Sequence, residues 1–596
     1  MEIPSRAPFW LGCLLAYAAL LSGCNSTVQD TGAGSTTSTG GGGGTPPPPT
    51  TARLTVTGSG TGAGMISSSP SGINCGQTCS ATFNSGTAVT LAATPTGAST
   101  FAGWSGACSG TNSCSVTLSA DTSVTATFNG PNLNSIQHIV FMLQENRSFD
   151  NYFGALRDYW AKNGYSDQSL DGLPQFNPVS GAAPLRGSVP SNPGCDPASP
   201  PPNDCIFDPV HAVSSYHLQT MCTENTNPSW NEAHVHWNYY DQVGKYPATM
   251  NGFVWTAGHD ARNDGFFDTN GVRAMGYYDG GDLNYYYFMA SNFATSDRWF
   301  SPVMSRTSIN REYLIGATSQ GRAYPNGTNQ VDTPQITSET IFENLTNAGI
   351  SWKIYINPTT SNCTAPYAAS CMIYLSYLQF FTFAQTVVAK YPQNLATMTQ
   401  YYDDLKNNTL PQVAMIESLP GDDEHGSTSD NSPANIQVGA QYASTIINSL
   451  MSSSSWNNSV FILTFDESGG LYDHVPPQPT VSPDGIAPMD LQPGDACTKV
   501  TGPTCDFVYT GYRVPLIVVS PFSKKHYVSH TPSDYTAIDK FIEDRFALGR
   551  LTQRDAAAMD MTEFFDVSSE PWRTPPSLPS QPVNLPCDRT LLPANP

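Results

Sequence analysis

The spacing of apolar and polar residues changes twice along the chain. Between Arg53 and Asn129, short runs alternate apolar residues with Thr or Ser: Leu54-Thr-Val-Thr, Ala88-Val-Thr-Leu, Cys114-Ser-Val-Thr-Leu and Ser123-Val-Thr-Ala-Thr-Phe. A period of two between Gly and Pro turns predicts a small all-β module. From Ile136 the runs become continuously apolar, as in Ile139-Val-Phe-Met-Leu, Val413-Ala-Met-Ile and Val460-Phe-Ile-Leu-Thr-Phe, and each ends in polar residues. Helical spacing appears over 338–348, 434–451 and 534–546. Uniformly apolar strands alternating with helices predict an α/β domain with a mostly parallel sheet covered on both faces. Sites in such folds lie at the carboxyl ends of the strands, where the polar residues fall.

The residues before the module belong to neither pattern. Arg6 precedes an apolar run, Phe9 to Leu21, that ends in Leu21-Ser22-Gly23-Cys24. The run is too short for a comfortable membrane span and reads as a secretory h-region. Its ending resembles the bacterial lipobox, which would put lipid on Cys24. From Asn25 to about Thr51 the chain is mostly Ser, Thr, Gly and Pro, a composition that cannot bury a core. The expected division is a signal over 1–23, a tether over 24–52, the β module over 53–130 and a large domain over 134–592. The expected location is outside the cytoplasm, at the outer membrane or cell surface, with the lipid as the only membrane attachment.

Composition sharpens the picture. The net charge is -22, from 48 acidic and 26 basic residues, which argues against a nucleic-acid partner. An anionic substrate would need a local cation to offset that field, so a metal is sought. Of the 14 Cys, those outside the signal and lipobox are even in number and include close pairs: Cys75 with Cys79, Cys108 with Cys114, Cys363 with Cys371, and Cys497 with Cys505. In an exported chain these read as disulfides before zinc ligands, although sequence alone does not fix the pairing. Trp104 is expected to fill the module's core.

Three segments carry candidate chemistry. Glu145-Asn146 follows the Ile139 strand, Asp466-Glu467 follows the Val460 strand, and Gly421-Asp-Asp-Glu-His425-Gly follows the Val413 strand. Carboxylate and amide oxygens suit a hard divalent cation, and adjacent buried carboxylates repel unless a cation neutralises them. Gly469-Gly470 would let the backbone turn sharply. His425 could protonate a leaving group. His211, His217, His234 and His236 form looser clusters; the last two could be a zinc pair, but no third ligand is evident. Each feature also fits a bland role as a strand end, helix cap, solvated loop or structural histidine.

The run Ile136-Gln-His-Ile-Val-Phe-Met-Leu-Gln-Glu-Asn-Arg-Ser-Phe-Asp-Asn-Tyr-Phe-Gly154 resembles the opening motif of the bacterial phosphoesterase family that contains phospholipases C and an acid phosphatase. Further family-like segments follow in order: Met275-Gly-Tyr-Tyr-Asp279, Asp466 to Pro477, Gly511-Tyr-Arg-Val-Pro515, Tyr527-Val-Ser-His530 leading to Asp534, and Leu551-Thr-Gln-Arg-Asp555. The segment around Phe101-Ala-Gly-Trp104 resembles Gly-Trp-rich repeat modules of bacterial surface proteins. The family resemblance implies an alkaline-phosphatase-like sandwich and a hydroxyl nucleophile that forms a covalent phospho-enzyme. It assigns the nucleophile to Thr307 and places Glu145, Asn146, Thr307, Asp466 and Glu467 around one divalent metal ion. Asn146 would also contact a phosphoryl oxygen. His211 and His425 match histidines near the phosphate, with His425 the candidate general acid; His474, His530 and Arg306 are secondary candidates. The implied substrate is a phosphate ester or phospholipid. The chain departs from the family around the nucleophile, reading Ser305-Arg-Thr-Ser-Ile-Asn-Arg311 where phospholipases read Gly-Pro-Thr-x-Pro-Asn-Arg. It also has no His between His259 and His425, which leaves the head group open. Competing expectations are an inactive phosphoesterase fold serving as a surface binding or adhesion protein, and a sulfatase-like hydrolase, for which no modification motif is found.

Overall fold

The computed structural model describes residues 51–593, apart from 61, 63, 76–77, 96–98, 130–132, 240–247, 326–334, 359–362, 419, 426–434 and 496–504. Cys24, the signal and the tether as far as Thr50 lie outside the described residues, as does Cys497. Among the described residues no helix is long and apolar enough to cross a membrane.

The N-terminal module is all β, as its period-two pattern predicts. Two four-stranded sheets close on a core of Leu54, Val56, Ile66, Val89, Leu91, Val124 and Phe128. Trp104 is 5% exposed, and its Nε1 donates to Asn112 O, so its indole is a core element. The first strand, Thr51–Ser59, pairs Thr51 with Asn84 and so takes in Thr51 and Ala52, which the composition groups with the tether. Ladder hydrogen bonds, not side-chain pattern, extend it. Disulfides Cys75–Cys79 and Cys108–Cys114 staple the module and remove the zinc alternative.

The large domain is built on an eight-stranded sheet ordered Leu395–Thr397, Trp352–Ile356, Val413–Glu417, His138–Gln144, Ser459–Phe465, Leu516–Val519, Ala294–Ser296 and Tyr527–Ser529. All pairings are parallel except the two made by Leu516–Val519. Every residue of Val413–Glu417 and Ser459–Phe465 is buried, as required of strands covered on both faces. The three apolar runs singled out in the sequence are three adjacent parallel strands at the centre, with Ile139 opposite both Val413 and Val460. Their shared register brings Glu145, Ser418 and Asp466 to one edge.

The predicted helices form, slightly shortened by their caps. Thr340 accepts from Glu343 N ahead of Ile341–Asn347, and Asn435 accepts from Gln437 N ahead of Ile436–Met451. The third is Thr536–Phe546. Cys222–Cys587 joins positions 365 residues apart, and Cys195–Cys205 and Cys363–Cys371 close shorter loops. Cys505 is disulfide-bonded.

Candidate active site

Three chain crossings meet at the carboxyl edge of the central strands. After Gln144 the backbone enters the left-handed region at Asn146, φ 63°, a conformation that Asn tolerates better than most residues. Asn146 N donates to Asp466 Oδ1 at 3.0 Å, and Asp466 N donates to Gln144 O at 3.0 Å, which ties the two strand ends together. Asp466 Oδ1 also accepts from Glu467 N at 2.7 Å. Glu467 Oε2 accepts from Gly469 N at 2.5 Å. Gly469 and Gly470 have φ values of 68° and 69°, and a Cβ on Gly469 would lie 2.4 Å from Asn146 O. Gly469 is therefore needed for close packing against Asn146, and Gly470 for packing against Thr226 and Asn227.

The helix Thr307–Gly316 meets the strand ends through Arg311. Asn310 holds the approach to it: its Oδ1 accepts from Val303 N at 3.0 Å and its Nδ2 donates to Ser305 O at 2.7 Å. This fixes Thr307 as the first helical residue, where unpaired N–H groups favour an anion. One turn later Arg311 reaches into the strand ends, 3.2 Å from Glu417, 3.3 Å from Asp466 and 3.5 Å from Glu145. It also donates to Leu143 O and lies over the Tyr377 ring. Arg306, the N-cap, donates to Asn227 Oδ1 at 2.8 Å and lies close enough to Glu467 to favour its ionised form.

The site carries more negative charge than Arg311 and Arg306 balance. Burial, and then the Asp466 charge, push the Glu145 and Glu467 carboxyls well above the usual range. Burial also raises Glu417 and Asp423. Among the described residues, Asn146 Oδ1 and Glu467 Oε1 are buried oxygens of this site with no partner. Unpartnered oxygen donors beside excess carboxylate fit a hard divalent cation. Three His, Cys, Asp or Glu ligand atoms come within 4.8 Å of one another at two other places among the described residues, Asp150–Asp473–His474 and His217–Asp279–Asp282. Glu145, Asp466 and Glu467 stand further apart, with the Arg311 guanidinium against two of them. The Asp150 trio is already neutralised. Arg513, fully buried, contacts Asp150 at 3.0 Å and Asp473 at 2.8 Å.

The candidate residues divide accordingly. Glu145, Asn146, Asp466 and Glu467 come together, and the Arg306–Thr307–Arg311 segment joins them. His425 belongs to the group, with Nε2 3.8 Å from Glu145 Oε2 and its N–H on Asp423 Oδ1. His211 does not join it: it sits on the Phe207–Ser214 strand with an exposed ring 2.5 Å from Asp208. His474 belongs to the Arg513 network, bonded to Asp150 at 2.7 Å and Asp171 at 3.1 Å. Burial alone would lower its pKa, but the two carboxylates raise it to about 9. His530 pairs with Asp297 and Ser169 at a half-exposed position. His234 and His236 are buried in one helix, bonded to Trp230 O and Thr256 Oγ1, and burial lowers them to about 4 and about 3. They are core residues. Glu417, Asn225 and Asn227 were not foreseen. Glu417 ends an apolar strand exactly as Glu145 and Asp466 follow theirs, and that was its available signal.

Residues 136–549 match the model of the Phosphoesterase family, and residues 54–131 match that of the Divergent InlB B-repeat domain. Phospholipase C B of Mycobacterium tuberculosis is 28% identical over 474 residues, covering 75% of this chain and 80% of the relative. Non-hemolytic phospholipase C of Burkholderia pseudomallei is 28% identical, covering 78% of this chain and 63% of that protein. Among solved structures, a protein in the alkaline phosphatase superfamily from Vibrio parahaemolyticus overlaps 47% of this chain and 66% of its own at 11% identity and a TM-score of 0.27, an overlap that carries no weight for the site. With the family model spanning most of the chain and the relatives covering most of the large domain, the chain belongs to the phosphoesterase family and is a phosphoric ester hydrolase.

Proposed function

We propose that the chain cleaves phosphate esters of the phospholipase C or acid phosphatase type by way of a covalent phospho-threonine. The observation that carries this reading is a helix that begins at Thr307 and, one turn on, sets Arg311 against buried carboxylates at the ends of adjacent parallel strands. Thr307, as the alkoxide left once its hydroxyl proton has passed to water, would attack phosphorus through Oγ1; the Oγ1–P bond forms as the bond from phosphorus to the leaving oxygen breaks. His425 would give that oxygen its proton. Water then cleaves the phospho-threonine, with His425 taking up the proton it lost. The N–H groups at the helix start and Arg306 would hold the phosphoryl oxygens. Glu145, Asn146, Asp466, Glu467 and Thr307 would hold one divalent cation, whose charge favours the threonine alkoxide over the alcohol. Lipid on Cys24 would tether the enzyme to the cell envelope, beside phospholipid substrate.

The test is hydrolysis of p-nitrophenyl phosphate and p-nitrophenylphosphorylcholine side by side, with a chelator control and Thr307→Ala. Loss of turnover by at least about 10³-fold in Thr307→Ala is expected for removal of a nucleophile. The preferred substrate separates phosphatase from phospholipase C. No turnover of either by folded, metal-loaded protein would count against both of these specificities and favour a surface binding protein.

A further inference from the structure

The two ends of the Asn146 amide are used differently. Nδ2 donates to Asn225 Oδ1 at 3.2 Å, whereas Oδ1 is buried and has no partner among the described residues. Its backbone is fixed, with the N–H held by Asp466 and the carbonyl packed against Gly469, so only a half-turn of the side-chain amide itself would exchange them. Asn225 is itself anchored. Its carbonyl accepts from Arg273 Nε at 3.3 Å and Nη2 at 2.9 Å. That guanidinium is fully buried and fixed by Asp268 and by Ala257 O. Three residues earlier Cys222 is bonded to Cys587, and Thr226 packs where a Cβ on Gly470 would fall.

We infer that Asn225 is a positioning residue, whose side-chain oxygen turns the Asn146 amide so that Asn146 Oδ1 faces the cation site. This rests on the cation reading above. A primary amide has one acceptor end and one donor end, and a hard cation takes only the oxygen. An acceptor placed behind the NH₂ group selects that orientation before the ion arrives. Partners of this kind, one step removed from the ion, are commonly worth 10–100-fold in metal affinity.

The test uses the metal-free protein, titrated with Mn²⁺ and followed by calorimetry. Asn225→Leu and Asn225→Ala remove the acceptor and should weaken Mn²⁺ binding about 10-fold or more. Asn225→Asp keeps an acceptor and no donor, and should bind Mn²⁺ at least as tightly as wild type. The urea midpoint in chelator should be the same for wild type and at least one of the acceptor-free variants, which separates positioning from general damage. Wild-type Mn²⁺ affinity in Asn225→Leu or Asn225→Ala would overturn the inference. So would loss of binding in Asn225→Asp as large as in Asn225→Leu. Asn146→Ala and Glu467→Gln serve as controls for the site itself. If both weaken binding and the Asn225 variants do not, only the role of Asn225 falls. If neither changes affinity, or if wild type binds no Mn²⁺, the cation reading falls and takes this inference with it.

Discussion

Replacing Arg311 by Met tests the charge arithmetic of the site. The guanidinium lies 3.2, 3.3 and 3.5 Å from Glu417, Asp466 and Glu145, all buried. At an effective dielectric constant of about 20, each contact is a gross attraction of about 5 kcal/mol. Desolvating four ions cancels most of that sum. Removing the cation alone reverses the balance, because three carboxylates stay buried without it, and breaking such a pair costs about 3–5 kcal/mol. Loss of the Leu143 O hydrogen bond and the Tyr377 contact adds to this, so about 4 kcal/mol or more is expected in metal-free protein. A divalent cation should recover part of the loss, since it supplies charge to the same carboxylates. The stabilisation gained on adding Mn²⁺ should therefore be larger in Arg311→Met than in wild type. Urea unfolding in chelator and in excess Mn²⁺ measures both quantities, with the exposed Arg573→Met as a control expected to stay within about 0.5 kcal/mol. A loss below about 1 kcal/mol in chelator, or a smaller gain from Mn²⁺ than in wild type, would refute the reasoning.

Three further outcomes are expected. Gly469→Ala puts a Cβ 2.4 Å from Asn146 O at φ 68°, so kcat/KM should fall by about 10²-fold as Asn146 is displaced, while Gly58→Ala, where nothing lies within 4 Å, should leave it unchanged. His474, raised to about 9 in the fold, should contribute stability that is complete below about pH 6.5 and lost as pH rises through 9. That amounts to about 3 kcal/mol between the two limits, and a His474→Gln variant with the same fall in urea midpoint from pH 6 to 9.5 would count against it. Replacing Cys222 and Cys587 by Ser opens a loop of 365 residues and should cost up to about 5 kcal/mol, read as a lower urea midpoint.

The sequence by itself determined the elements and the kinds of atom at their ends. Strands covered on both faces must be apolar throughout, so Ile139, Val413 and Val460 each announced a buried strand, and the polar residue ending each run had to lie at a sheet edge. Period-two alternation likewise announced the β module. Local pattern says nothing about order, because it does not record which strands pair. The tertiary structure decided that these three strands are neighbours in register and that Leu516–Val519 runs against them. It also decided the charge balance around each carboxylate: Arg513 meets Asp150 and Asp473 inside one network, whereas Arg311 is shared among Glu417, Asp466 and Glu145 and leaves carboxylate in excess. Asp150, Asp473 and His474 lie in the same motifs as Glu145 and Asp466, yet Arg513, distant in sequence, draws them into an ion network. Asn225 had no signal at all. Its contact with Asn146 exists only because Arg273 and the Cys222–Cys587 link hold a remote segment against the strand ends.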